Sequence, residues 1–284
     1  MYSANFDYYQ PKTLNEALKL LKQHGKKAKI LAGGHSLLPA MKLRQALPKV
    51  LVDIGKLKLS GIKATKTAIN IGALTTHAEL ASSKVLMGKC PILSEAALQI
   101  GDTQVRNRGT IGGSLAHADP AADLPTVMMA LGAKFVTSSK RSITADKFFV
   151  DLFATALKSG EVLTEIQVPI MASGTGGAYL KHRHPASSYA VVGVAAVVGM
   201  KNGKCSHASV VIGGATTNPV RAGAAEKALM GTPLDDGVIS AAAAKVADAI
   251  TDPLGDIYAS GEYRTHLATV LAGRALKLAA ERAS

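Results

Sequence analysis

The stretch Arg106-Asn-Arg-Gly-Thr-Ile-Gly-Gly-Ser-Leu-Ala-His-Ala-Asp-Pro-Ala-Ala-Asp123 decides how the chain is read. It packs Gly109, Gly112 and Gly113 into five positions, then turns within a few residues into a helix start. Asp119 reads as the N-cap of that helix, Pro120 as its first residue and Asp123 as an acid in its first turn. Glycines admit positive φ and let backbone come close to a ligand. Unpaired N–H groups near a helix N-terminus seat phosphate oxygens. Glycine turns before helices are common, so this segment alone leaves a bare turn and a phosphate seat both open.

A second loop of the same kind lies upstream. Lys29-Ile-Leu-Ala-Gly-Gly-His-Ser-Leu-Leu-Pro39 reads as a short apolar strand entering Gly33-Gly34-His35-Ser36. A helical turn ending near Arg44 follows, then a strand at Val50-Leu-Val-Asp-Ile54. Two strand-to-glycine loops far apart in sequence suit the two phosphates of a dinucleotide. Neither carries the P-loop pattern or the Gly-x-Gly-x-x-Gly fingerprint of the Rossmann fold.

Ala32-Gly-Gly-His-Ser-Leu-Leu-Pro-Ala-Met-Lys42 and Thr110-Ile-Gly-Gly-Ser-Leu-Ala-His-Ala-Asp-Pro-Ala-Ala-Asp123 resemble the two FAD-binding loops of the flavin subunit of the molybdenum hydroxylase (xanthine dehydrogenase) family. The likeness is greatest to the medium subunits of aerobic carbon monoxide dehydrogenases, and it runs from Phe6-Asp-Tyr-Tyr-Gln-Pro11 to the last helices. One position departs: Ser114 stands where the family usually has Asn. A serine keeps a hydroxyl, so the expectation is weakened geometry rather than lost binding.

The resemblance implies an α+β chain. An FAD-binding domain of PCMH type (vanillyl-alcohol-oxidase-like) would span 1–176, in subdomains of about 1–55 and 56–176. A C-terminal domain with a three-stranded antiparallel sheet and helices would span 177–284. It marks Ile30, Leu31, Ala32, Gly33, Gly34, His35, Ser36, Leu37, Ile100, Gly101, Thr110, Ile111, Gly112, Gly113, Ser114, Asp123, Leu163 and Lys181 as cofactor-binding. Backbone amides at Gly33–Ser36 and Ile111–Ser114 would hold the diphosphate and ribityl chain, and Asp123 would accept from a cofactor hydroxyl or amide. Lys181 would lie near the flavin ring, where a cation stabilises negative charge on the reduced flavin. Ile100 and Leu163 fit ordinary core as well as they fit a cofactor wall.

The remaining implications concern partners. A small subunit with 2Fe-2S clusters and a large subunit with the molybdenum cofactor are expected, as a dimer of heterotrimers. Substrate would be oxidised at molybdenum in the large subunit, so no catalytic residue is expected here. Electrons would pass from the clusters through FAD to an external acceptor. The alternatives are a stand-alone flavin oxidase or reductase, which needs a base or nucleophile over the flavin that the sequence does not offer, and a flavin-free scaffold, against which the intact glycines argue.

Composition sets further bounds. The chain of 284 residues is 48% hydrophobic with 4% aromatic residues, which suits an aliphatic, alanine-rich globular core. No apolar run reaches the length of a membrane helix and Met1–Asp7 lacks the regions of a signal peptide. The expected place is the cytoplasm, or the inner-membrane periphery through the complex. Cys90 and Cys205 are too few for a metal or cluster site of this chain alone. His117 with Asp119 and Asp123 matches no standard ligand spacing. The net charge of +13 is spread over scattered lysines and arginines with no basic tract, which favours acidic partner subunits over nucleic acid.

Patterning supplies the elements. Thr13-Leu-Asn-Glu16 reads as a capping box before a helix ending at Gly25. Gly61–Ala64 and Ala68–Gly72 alternate as a hairpin, Thr76–Glu79 opens a helix, and Pro91–Gly101 forms another. The helix after Pro120 should reach about Leu131, with strands at Lys134–Thr137 and Glu161–Val168. Ser173–Gly177 reads as a flexible linker. Beyond it come strands at Ala178–His182, Tyr189–Met200 and Cys205–Gly213, with Asn202-Gly203 as the hairpin turn. Helices near Arg221–Met230, Gly237–Ala249 and Arg264–Arg282 close the chain.

Overall fold

A computed structural model describes residues 1–283. Its first unit comprises β1 (Asp7–Tyr9), α1 (Leu14–His24), β2 (Ala28–Leu31), α2 (Leu37–Lys42) and β3 (Val50–Asp53). The strands are parallel in the order β1-β3-β2. Helix α1 buries Ala17 and Leu21 against this sheet, and Gly25 ends it at φ 52°. Its capping box is shifted: Thr13 Oγ1 accepts from Glu16 N at 3.2 Å, while the Glu16 carboxylate accepts from Lys12 N rather than from Thr13. The closed box sits instead at Thr76 and Glu79.

The second unit holds β4 (Ile62–Ala64), β5 (Ala68–Gly72), α3 (His77–Ala81), α4 (Lys84–Lys89), α5 (Pro91–Leu98), α6 (Thr103–Arg108), α7 (Ile111–His117) and α8 (Asp123–Ala130). It continues with β6 (Lys134–Thr137), β7 (Ser142–Thr144), α9 (Ala145–Phe148), the hairpin β8 (Phe149–Asp151) and β9 (Ala154–Thr155), and β10 (Leu163–Pro169). Its five-stranded sheet has the order β4-β5-β10-β6-β7 with antiparallel neighbours.

Two expectations change here. The glycine loop at 109–113 is the start of a helix, with Thr110 as N-cap accepting from Gly113 N at 3.2 Å. The next helix begins at Asp123, not Pro120. Asp119 accepts from Ala121 N in a turn, and the carbonyls of Pro120 and Ala121 are taken by Gly214 N and Ala190 N. Those carbonyls bond the C-terminal sheet instead, and Pro125 has no N–H to return to Ala121 O, so the helix opens at Asp123.

The third unit comprises β11 (Thr175–Arg183), β12 (Ala190–Lys201), β13 (Lys204–Gly213), β14 (Val220–Arg221), α10 (Gly223–Leu229), α11 (Asp236–Ala244) and α12 (Gly261–Ala283). The expected three antiparallel strands gain a short fourth, β14, at the edge. Asn202 and Gly203 both have positive φ, as a two-residue type I′ turn requires. Every residue from Ala190 to Gly199 is buried, so both faces of β12 are covered. The strand alternates between two cores: Val194, Ala196 and Val198 meet the C-terminal helices, whereas Tyr179, Ala195, Val197 and Val211 join the core of the second unit.

The expected flexible linker is mostly strand. Gly174, at φ 73°, makes the turn, but Gly176 is buried, and a Cβ there would strike the Ala279 carbonyl of α12. Small residues at this place serve close packing rather than freedom. Arg221 fastens the same joint, donating to Asp146 and to the Met129 carbonyl on one side and to Ser209 and Glu226 on the other.

Candidate cofactor site

The chain leaves the carboxyl edge of the parallel sheet through Ala32–Ser36, the edge at which open α/β sheets bind ligands. Ile30 and Leu31 are half-buried strand residues, and Leu37 opens α2. Gly34 has φ 79°, a conformation L side chains rarely adopt. Among the described residues, no protein group accepts from the amides of Gly33, Gly34, His35 or Ser36. Four successive free donors make a concavity suited to an anion. His35 is exposed beside them.

The second glycine segment lies against the first. A Cβ on Gly33 would strike the Arg108 carbonyl and come within 3.0 Å of Gly109 Cα, and one on Gly113 would lie 3.9 Å from Ala32 Cβ. Yet the amides of this segment are committed within the protein. Ile111 N donates to Thr75 O, Gly112 N to Ala73 O, Gly113 N to Thr110 Oγ1 and Ser114 N to Thr110 O. Gly112 brings α7 down onto the backbone after β5, for a Cβ there would lie 2.6 Å from Ala73 O. What remains is the half-buried Ser114 hydroxyl, while the missing side chain at Gly113 makes room for Thr110 Oγ1, 2.8 Å from where a Cβ would sit.

The other expected residues divide. Gly101 turns at φ 47°, and the carbonyls of Ile100 and Gly101 accept from the Arg106 guanidinium, which braces the α5–α6 corner. Leu163 is 4% exposed and belongs to the main core. Asp123 and Lys181 form an ion pair of 2.9 Å, their side chains 5% and 2% exposed. Lys181 Nζ also donates to Gln99 O at 3.0 Å and Ser188 O at 2.7 Å. Three acceptors match the three N–H of an ammonium group, so the lysine is fully engaged inside the protein. Burial pushes the Asp123 carboxyl above its ordinary value, against the pull of Lys181 and Tyr179.

Sequence reading misses Tyr179 and His77, and places Tyr189 only in the neighbourhood of Lys181. Tyr179 donates to Asp123 Oδ1 at 2.6 Å. Its spacing of two from Lys181 put both on one strand face, but nothing placed Asp123 opposite them. Tyr189 brings its hydroxyl beside the Ser36 side chain, so the loop after β11 reaches the first glycine segment. His77 is 5% exposed with no partner for Nδ1, and its N–H donates to Gly109 O. Burial, with His35 and Arg106 nearby, lowers His77 to about 4. A lone histidine after a helix cap carries no sequence signal of this kind.

Comparison with known proteins matches this arrangement over the whole chain. The family described as the FAD binding domain in molybdopterin dehydrogenase matches residues 4–171, and the CO dehydrogenase flavoprotein C-terminal domain matches 177–279. The carbon monoxide dehydrogenase medium chain of Hydrogenophaga pseudoflava is 39% identical over 283 residues, covering 98% of each chain. The glyceraldehyde dehydrogenase medium chain of Sulfolobus acidocaldarius is 37% identical, covering 98% of this chain and 99% of that one. A solved structure of carbon monoxide dehydrogenase from Hydrogenophaga pseudoflava superposes with a TM-score of 0.96 at 41% identity, over 100% of both chains. These full-length matches favour the subunit reading over a stand-alone oxidase. The chain belongs to the molybdopterin dehydrogenase flavoproteins, as an FAD-binding oxidoreductase subunit of the carbon monoxide dehydrogenase type.

Proposed function

We propose that this chain seats FAD between Ala32–Leu37 and Thr110–Ser114, with its diphosphate on the free amides of Gly33–Ser36. That run of four amides without a protein acceptor, at the carboxyl edge of a parallel sheet, is the observation carrying the reading, because successive free N–H groups form a seat for an anion. The residues fit the group. The first loop supplies donors, Ser114 adds a hydroxyl, and Arg106 and Arg108 lend positive field. Ile100, Gly101, Asp123, Leu163 and Lys181 line or support the rest of the path. When bound, FAD supplies the redox chemistry, taking electrons from iron–sulfur clusters and yielding them to an external acceptor. The protein's own part is to hold, orient and set the electrostatics.

The assembly we infer joins a small 2Fe-2S subunit and a large molybdenum subunit, doubled, in the cytoplasm. Relatives named as medium chains support it, as does a net charge of +13 that suits acidic partners. Among the described residues no helix is long and apolar enough to cross a membrane. We place the division between FAD-binding and C-terminal domains at residues 176 and 177. The test is co-expression with the two partners, gel filtration and an absorption spectrum after removal of free flavin. Persistent flavin bands in a three-subunit complex support the reading; a monomer that oxidises a small alcohol or amine unaided overturns it.

A further inference from the structure

We propose that Tyr179 is a positioning residue for the cofactor site: its hydroxyl keeps Asp123 ionised and turned toward Lys181, so that the pair presents a neutral dipole rather than a lone cation. This rests on the reading above, in which FAD passes the pair. The path from the pair to the first glycine segment is short. Lys181 donates to Ser188 O, and the next residue, Tyr189, lies beside Ser36.

The site is built for that hydroxyl. Tyr179 is 2% exposed and its ring belongs to the main core. Gly193, the cross-strand partner of Lys181, occupies the ground the phenol passes over, and a Cβ there would strike the Tyr179 oxygen. The hydroxyl therefore reaches Asp123 only because Gly193 has no side chain. Gln99 holds the strand from the other side, its Nε2 donating to Tyr179 O at 3.4 Å and its carbonyl accepting from Lys181. Burial and the facing carboxylate keep the phenol protonated well above its ordinary range, so it serves as a permanent donor. A buried carboxylate needs each such donor, since desolvation favours its neutral form. Without the Asp123 charge, the Lys181 ammonium, still held by the Gln99 and Ser188 carbonyls, stands beside the site with no counter-charge.

The experiment uses the FAD-loaded complex and compares the flavin midpoint potential of wild type, Tyr179→Phe, Asp123→Asn and Gly193→Ala. We expect all three variants to shift it upward, Asp123→Asn the most, with Gly193→Ala following Tyr179→Phe because it displaces the same hydroxyl. A shift in Asp123→Asn but none in Tyr179→Phe overturns the role of Tyr179 and leaves the cofactor reading standing. No shift in any variant that still holds FAD overturns the role of the whole pair and shows that FAD does not pass it. A second readout needs no flavin. Infrared spectra of the flavin-free chain at neutral pH should show a protonated carboxyl band in Tyr179→Phe that is missing from wild type and from Tyr179→Phe/Asp123→Asn. Absence of that band in Tyr179→Phe overturns the proposal whatever the flavin does.

Discussion

Gly33-Gly34 and Gly112-Gly113 are the same dipeptide and do different work. The first pair leaves a strand, turns at φ 79° and exposes four amides in a row without acceptors. The second pair opens a capped helix, spends its amides on Ala73 and Thr110, and gives up its side chains so that α7 settles onto neighbouring backbone. One pair contributes donors and the other contributes proximity. A glycine motif thus does not announce which of the two it supplies; the hydrogen-bond partners of its amides do.

The sharpest way to break this contrast is Gly33→Val. Its side chain meets the Arg108 carbonyl and Gly109, neither of which can swing aside. A loss beyond about 4 kcal/mol is expected from overpacking against backbone, with a matching fall in the denaturant midpoint and no retained flavin. Stability close to wild type would show that the two segments are not pressed together.

Next in size is the acid response of His77, whose ring edge lies under Gly109, at the joint of the two segments. The folded chain keeps this histidine neutral down to about 4, while the unfolded chain protonates it near 6.5. The unfolded state therefore binds the extra proton between those values. Stability holds above about pH 6.5 and drains as pH falls toward 4, by on the order of 3 kcal/mol. Urea melts across that range should slope in wild type and lose much of the slope in His77→Phe.

Gly34→Ala probes the donor loop alone. Its Cβ would meet the far end of Leu38, which can move, so the cost is backbone strain of about 1–2 kcal/mol. FAD affinity should drop roughly tenfold or more as the free amides are re-aimed. Titration by flavin fluorescence checks this, and unchanged affinity would detach the loop from the diphosphate. The smallest effect belongs to Ser114→Ala. Removing one hydroxyl should weaken FAD by about 0.5–1.5 kcal/mol and leave thermal unfolding unchanged. A fall in unfolding temperature instead would mark Ser114 as structural.

Where the fold followed local patterning, the sequence was informative. The continuous apolar run through Val191–Val198 and the Asn202-Gly203 turn give the central hairpin of the C-terminal sheet directly. It misled where tertiary contacts overrode local signals. Two glycines cost a helix about 1 kcal/mol each, so Ile111–His117 reads as loop until the Thr110 cap and the Ala73 backbone beneath it are known. Asp119 and Pro120 look like a helix start, but their turn is held by the ends of β12 and β13. At the site, the glycines and Ser36 stand out by composition. The meeting of Asp123 with Lys181, 58 residues later, does not. Nor does a buried tyrosine made possible by a glycine across the sheet.

The two-sided burial of β12 also bears on how the chain is made. Tyr179, Ala195, Val197 and Val211 have their packing partners in segments synthesised earlier, so the C-terminal sheet emerges from the ribosome onto a floor already in place. Expressed by itself, that half would present a broad apolar sheet face to water and invite aggregation. The two family matches, over 4–171 and 177–279, are neighbours in sequence, but they are not interchangeable cassettes. A donor of the C-terminal half for a chimera would have to bring the matching surface of α5 and α8 with it.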